Sequence, residues 1–356
     1  MRIQICGCLI LLTAAHALAQ DLPTPVPRPG DMAAPTTEGP FVRPSPGGPS
    51  EPVWGLKDGL RIGLWPTPGP RGLLRVYTPY LDQPKFRVIN FIAVEPIVDG
   101  PRGLSELEQS TRDGRQGKWF SPSNTIEGPA RNPWEAPRGE LTVDSNGHQI
   151  LSIYFHVEPF KNGARPIVQA KFRSDRPHEV ELLTFAAPGG ASMKSCILTA
   201  TMGNYARLRR VFLADQVVSA KELWPDYQPE GWGFTPHVSW PATQLMHRGE
   251  HILIAATSDE ADPASAAYDK SVTNGWHYVG KPATQYWTAP ADPELVARVN
   301  GRATYWASSA PIPGGISFEN FELEVPFASG RSFTFGVSPF TPRQLGFSHE
   351  KGDAQP

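Results

Sequence analysis

Residues 141–157 read LTVDSNGHQILSIYFHV, and two features of that stretch decide the fold class. The first is Asn146-Gly147, a pair whose tolerance of positive φ suits a type I′ turn between two strands. The second is the alternation after the turn. From Ile150 to Glu158, Leu151, Ile153, Phe155 and Val157 fall on one side of an extended chain. Ser152, Tyr154, His156 and Glu158 fall on the other. A helix would scatter these residues round its circumference. The stretch therefore predicts a hairpin of two antiparallel strands, Glu140–Val143 and Ile150–Val157, with one apolar face.

Working outward, runs of the same kind recur between turn signals. Before the hairpin they are Leu60–Trp65, Leu73–Thr78 and Phe86–Val98. After it come Ile167–Arg173, Val180–Phe185, Cys196–Thr201, Ala206–Leu213 and His251–Ala256. The last are Thr284–Trp287, Val296–Ala307, Ile316–Val325 and Ser332–Val337, the final pair joined through Phe327-Ala328-Ser329-Gly330. The chain's 39 prolines and 33 glycines punctuate these runs, and no long segment has a 3.6-residue period. This pattern predicts an all-β chain, a large antiparallel two-sheet sandwich over residues 54–347 in one domain, with residues 348–356 as a disordered tail.

Ahead of that domain, Arg2, the apolar run Ile3–Leu12 and Ala17-Leu18-Ala19 have the form of an export signal over residues 1–19. The run is too short for a membrane span, which needs about 20 apolar residues. Residues 20–53 carry the alternating Pro23, Pro25, Pro27 and Pro29 with few large apolar groups, and read as an extended linker. Cys6 and Cys8 lie in the signal, which leaves Cys196, in the apolar run Ser195–Leu198, as a buried and inert thiol. A secreted or periplasmic protein is expected.

Lys and Arg number 33 against 35 Asp and Glu, a net charge of -2. The basic residues are scattered, so the stripe that nucleic acid requires is missing. There is no amphipathic helix suited to a membrane surface. Gly-x-Gly-x-x-Gly, phosphate-loop and Gly-x-Ser-x-Gly motifs are all absent, and no histidine stands in a metal-ligand spacing. Neither a cofactor nor a metal is expected.

Residues Thr199–Trp240 concentrate unlike functional groups: Asn204, Tyr205, Arg207, Arg210, Trp224, Trp232 and His237. Alternation puts Arg210 on one face with Ala206, Leu208 and Phe212. Beyond that run, Pro225, Pro229 and Pro236 break the chain into a long loop, the usual setting of a binding rim. Polar faces rich in rings recur elsewhere, with Tyr154 and His156 on one strand, Arg302 and Trp306 on another, and His277 in Gly275-Trp276-His277-Tyr278. Saccharides suit such a mixture, because C–H faces stack on rings while hydroxyls pair with polar groups. A wetted surface of cross-strand pairs would alternate in the same way.

These observations lead to an expected site. His237 and Tyr205 would act as acid and base, with Arg210 or Arg207 meeting negative charge. The substrate would be held by Tyr154, His156, Asn204, Arg207, Trp224, Trp232, His277, Arg302 and Trp306. Glu319 shares an apolar face with Phe321, Leu323 and Val325 and needs a partner, for which Arg210 is the candidate. A hydrolase would instead rest on paired carboxylates, such as Glu222 with Asp226 or Glu319. The expected function is glycan cleavage of lyase or hydrolase type by an exported protein with a carbohydrate partner. The alternatives are a non-catalytic carbohydrate-binding protein and a structural envelope protein.

The runs Leu64–Tyr77, Asn204–Arg210 and Gly315–Leu323 resemble an uncharacterised family of exported strand-rich bacterial proteins. That likeness brings no residue roles with it. More loosely, the chain is similar to large carbohydrate-active β-sandwiches, including mutarotase-like and polysaccharide-lyase folds. This implies a fold, and fold does not fix function.

Overall fold

The computed structural model describes residues 29–64, 71–79, 87–100, 102, 105–128, 136–201, 206–227, 233–259, 267–270, 283–305 and 310–347. Its first strands pair in succession: β1 (Thr36–Glu38), β2 (Phe41–Arg43), β3 (Val53–Leu56), β4 (Arg61–Gly63), β5 (Leu73–Thr78) and β6 (Arg87–Ile97). The chain then crosses to a second sheet and lays down β7 (Phe120–Ser123), β8 (Glu140–Val143), β9 (Gln149–Val157), β10 (Pro166–Arg173) and β11 (Glu179–Ala186). It returns with β12 (Ser195–Thr201), which lies against β6. Next come β13 (Leu208–Phe212), β14 (Val217–Ser219) and a single helical turn, α1 (Ala220–Leu223). β15 (Val238–Pro241) joins the first sheet, and β16 (Met246–Arg248), β17 (His251–Ser258) and β18 (Thr284–Pro290) the second. β19 (Val296–Arg302) and β20 (Ser317–Glu324) complete the first sheet, and β21 (Arg331–Ser338) the second.

Among the described residues the first sheet has ten strands, in the order β1-β2-β3-β4-β5-β6-β12-β20-β19-β15. The second has eleven, running β14-β13-β17-β18-β21-β11-β10-β9-β7, with β16 on β17 and β8 on β9. All the pairings are antiparallel, as the alternation predicts. The inward faces meet in one apolar cluster, to which Trp54, Ile62, Leu74, Leu198 and Phe321 come from one sheet and Ile153, Phe155, Leu182, Ile254 and Trp287 from the other. Trp54 packs edge-on to Phe155 at 5.5 Å, and Trp287 Nε1 donates to the Phe321 carbonyl at 2.9 Å across the gap. Each large apolar side chain so buried stabilises the fold by about 1.5–3 kcal/mol. Asn90 and Gln285 exchange side-chain hydrogen bonds of 2.9 and 3.2 Å between the sheets, so this polar pair is satisfied inside the core.

Three local readings differ from expectation. The linker expected over residues 20–53 carries a strand hairpin at Thr36–Arg43, because Phe41 and Val42 have core to bury and Arg43 ties the hairpin down. Arg43 donates to the carbonyls of Arg138 and Gly139 at 2.8 and 2.9 Å and to Glu38 at 2.8 Å. The 141–157 hairpin forms, but its turn is not type I′. Asn146 has no positive φ; Gly147 alone takes φ 83°, and its N–H donates to the Asp144 carbonyl at 3.0 Å. The Asp144 carboxylate accepts from the Asn146 and His148 N–H groups at 2.9 Å each, and so fixes the longer loop. The third difference concerns the face of Arg210. A register shift between Leu208 and Arg210 sets Leu208 and Val211 in the core and turns Arg210 outward with Phe212.

Gly336 on β21 is required by its neighbour Tyr286 on β18. The two are register partners, and a Cβ on Gly336 would lie 2.0 Å from the Tyr286 ring. The ring crosses β21, and its hydroxyl donates to Glu179 at 2.9 Å. Cys196 is buried and free, and burial pushes its thiol up to about 12. Among the described residues no helix is long and apolar enough to cross a membrane. The expected signal and tail lie outside the described residues.

Candidate functional site

In the middle of the ten-stranded sheet, Glu95 on β6 is paired with Ile197, and Thr199 on β12 with Glu322 on β20, itself paired with Arg298 on β19. Cross-strand partners share a face. The residues flanking them, Val94, Leu198, Leu323 and Val299, all enter the core, so this polar set points away from it. An outward face would ordinarily be wet, yet Glu95 and Glu322 are fully buried and Thr199 nearly so.

Arg102 covers them. Its Nη1 and Nη2 grip both oxygens of Glu322, the second at 2.9 Å, and its Nε and Nη2 reach Glu95 Oε2, the first at 2.9 Å. The Thr199 hydroxyl donates to Glu322 Oε2 at 2.6 Å. Two carboxylates thus face one guanidinium in a dry site. Burial raises Glu95 to about 8, against the pull of Arg102, and its Oε1 has no hydrogen bond. Glu95 therefore carries a proton at neutral pH, and Glu322 is the anion that Arg102 answers. Burial would lower Arg102, but Glu322 and Glu95 together raise it. Glu106, half-buried and in the field of Arg102, is likewise raised by loss of solvent around its carboxylate.

The accessible member of the group is His237, whose side chain is 37% exposed and whose Nε2 stands 3.7 Å from Glu322 Oε1. Its loop is pinned to β19: Thr235 N donates to the Gly301 carbonyl at 2.9 Å, and Gly301 N returns a bond to Thr235 Oγ1 at 2.7 Å. Trp224 Nε1 holds the Pro236 carbonyl at 3.2 Å. Burial lowers the His237 pKa; Glu322 opposes that, and Arg102 and Arg298 reinforce it. The imidazole is therefore neutral at pH 7, beside a carboxylate that can steady its protonated form. Three residues earlier, the exposed Phe234 ring lies 5.0 Å from the Arg302 guanidinium.

The expected site residues divide. His237, Arg302 and Glu319 belong to β19, β20 and the loop beside them; Glu319 is buried and acts on Arg302. Arg207 is fully buried at the entry to β13. Arg210 does not pair with Glu319. It lies over Phe212 at 5.8 Å, on the outer side of the opposite sheet and in the field of Glu222. Trp224 is a core residue, edge-on to Phe318 at 5.9 Å, rather than a surface platform. Tyr154 and His156 point outward from the eleven-stranded sheet, Tyr154 against Phe185 at 6.3 Å and His156 towards the Thr125 carbonyl at 3.3 Å. The core separates them from His237, so the two faces do not converge on one cleft. Glu222 caps α1 by accepting from Ser219 N at 2.7 Å. Asn204, Tyr205, Trp232, His277 and Trp306 lie outside the described residues.

Sequence reasoning missed Glu95, Arg102, Thr199 and Glu322. A signal for Glu95 exists: it is the lone carboxylate in the apolar run Val94-Glu95-Pro96-Ile97. Arg102 has none, because only the fold brings it to these strands. Among the described residues no set of three His, Cys, Asp or Glu side chains is placed to hold a metal ion. A cavity lined by Leu64, Arg71, Lys118 and Trp119 measures about 20 Å³, space for one water and too little for a sugar. The chain matches no protein-family model and no curated protein.

Proposed function

We propose that this chain is an exported carbohydrate-active protein that cleaves glycans by elimination, with His237 as the base. The observation that carries the reading is the pairing of a half-exposed, neutral imidazole with the buried Glu322 3.7 Å away. A carboxylate in that place stabilises the imidazolium that forms when the ring takes a proton. Phe234, exposed three residues away, offers an apolar surface to a sugar ring. Hydrolysis is the weaker reading, because it needs two carboxylates that reach the scissile bond. Glu95, Glu322 and Glu319 are buried, and Glu222 is spent on a helix cap.

The test is incubation with a panel of acidic and neutral polysaccharides, reading near-ultraviolet absorbance for unsaturated ends and a reducing-end assay for hydrolysis. Absorbance that rises with the wild type and not with His237→Ala is expected. Reducing ends without absorbance, or full activity in His237→Ala, would overturn the proposal.

A further inference from the structure

The strand register sets the proposed base in a row. Residues 235–239 run antiparallel to β19: Thr235 exchanges hydrogen bonds with Gly301, and Ser239 is the register partner of Arg298. His237 lies between those points, two residues from Ser239 and so on the same side of the extended chain. Arg298 shares that side, being the register partner of Glu322 as well. Phe234 begins the row, beside Arg302. An exposed apolar ring, the imidazole and the Arg298 guanidinium therefore follow one another along β19.

The arginines near the base differ in what they can still bind. Arg102 is engaged by Glu95 and Glu322, and Arg302 is fully buried. The Arg298 side chain is 35% exposed, and it meets Glu324, itself 31% exposed, through Nε at 2.8 Å without hydrogen-bond geometry. Its two terminal nitrogens make no hydrogen bond to any described residue. An ion pair this open to water is loosely held. Ser239, across from Arg298, is exposed. Beside the burial that chiefly lowers the His237 pKa, the Arg298 charge pulls the same way and so reaches the ring.

Elimination next to a carboxylate raises a charge problem that this placement answers. Taking the proton from the carbon that bears the carboxylate places a second negative charge on that group. The proton goes to the His237 imidazole, and the C–H pair becomes a carbon–carbon double bond. The glycosidic oxygen leaves with the C–O pair and takes a proton from water. A guanidinium on the carboxylate, gripping both oxygens, stabilises the doubly charged intermediate.

We propose that Arg298, with Ser239 beside it, binds the carboxylate of a hexuronic acid unit in front of His237, which makes the substrate an acidic polysaccharide. This rests on the glycan reading above and adds to it the substrate class and the residue that selects it. The substrate carboxylate takes the guanidinium from Glu324, so Glu324 is its competitor. A sulfate ester shares the anionic oxygens, so the test separates the two sources.

Calorimetric titration would use the full chain carrying His237→Ala, so that the ligand stays intact. The probes are a hexuronic acid tetramer, the same tetramer with its carboxylates reduced to alcohols, and a sulfated neutral tetramer. The uronate should bind at least about tenfold more tightly than either other probe, the scale of one charge-assisted hydrogen bond. Arg298→Gln should abolish that preference and leave the neutral tetramer unaffected. Glu324→Gln removes the competing anion and should tighten uronate binding, which gives a second reading should Arg298→Gln melt early. A purely structural Arg298–Glu324 pair would instead make both variants weaken binding alike, and that result overturns the proposal. So does unchanged uronate affinity in Arg298→Gln at wild-type melting temperature, or preference for the sulfated probe. Equal affinity for all three probes overturns this subsite and leaves the glycan reading standing, whereas no binding of any probe overturns both.

Discussion

Glu95 and Glu322 bind one guanidinium, that of Arg102, from strands that are not neighbours, since β12 runs between β6 and β20. A single cation cannot neutralise two carboxylates in a dry site, and the surplus charge is removed by a proton on Glu95. The site behind His237 thus contains a carboxylic acid and a carboxylate side by side, distinguished by how each meets Arg102.

The first prediction follows from that proton. Glu95 holds it up to about pH 8 in the folded chain, whereas a carboxyl in the unfolded chain releases it near its ordinary value of 4.5. Its contribution is complete below that ordinary value and is lost as the pH rises through about 8. The slope is at most about 1.4 kcal/mol per pH unit. Glu95→Gln is neutral throughout and should flatten this part of the profile. Urea unfolding of both proteins at pH 5, 6, 7 and 8 reads the difference; parallel profiles would refute it.

Removing the shared cation should be costly. Arg102→Met leaves the Glu322 anion buried and unanswered, for which about 3–5 kcal/mol is the expected loss. Adding Glu322→Gln removes the orphaned charge and should recover part of the loss. Chemical denaturation of the two variants tests the pair, and additive losses would contradict it.

If His237 is the base, it must be neutral to work, and its pKa lies below the ordinary 6.5 because of burial. The acid limb of the activity profile should therefore be centred below pH 6.5. His237→Ala should reduce turnover by about a hundredfold or more, within the range for a general base. A pH–rate profile whose acid limb lies above 6.5 would assign the base elsewhere.

The amino-terminal hairpin should prove integral to the sheet. Phe41 is fully buried in the shared core, so Phe41→Ala should cost about 3–5 kcal/mol, and deletion of residues 29–50 should cost more. Thermal melts that shift by less than a degree or two would mean that the hairpin is dispensable.

Gly336→Ala should destabilise by about 1–3 kcal/mol, because the new methyl meets the Tyr286 ring. In a Tyr286→Ala background the same change should be nearly silent. A double-mutant cycle reads that coupling directly.

The alternation in β9 made the fold class legible, since Leu151, Ile153, Phe155 and Val157 all enter the core. What escaped was local chemistry that overrides a period. The shift after Leu208 turned Arg210 over, and no residue type in that run announces it. Proline content concealed the strands around Phe41, because a few buried side chains outweigh the composition around them. In the site, His237 was legible as an acid–base candidate in a proline-set loop. Its support was not, because Glu322 and Arg102 are 220 positions apart and only sheet order joins them.

The strand order of the ten-stranded sheet has a consequence for how the molecule is made. β12 is laid between β6 and β20, so the edge that β6 offers is covered by a strand about a hundred residues later. The edge of β12 is covered, in turn, only when β20 has been synthesised. Until then each edge is a row of unsatisfied backbone donors and acceptors. Pairings this distant in sequence slow the search for the native state. Arg102 and Glu95 come early and Glu322 last, so the dry charge cluster is completed only by the final assembly of that sheet. An emerging chain accordingly has a long window in which strand-shielding chaperones would improve its yield.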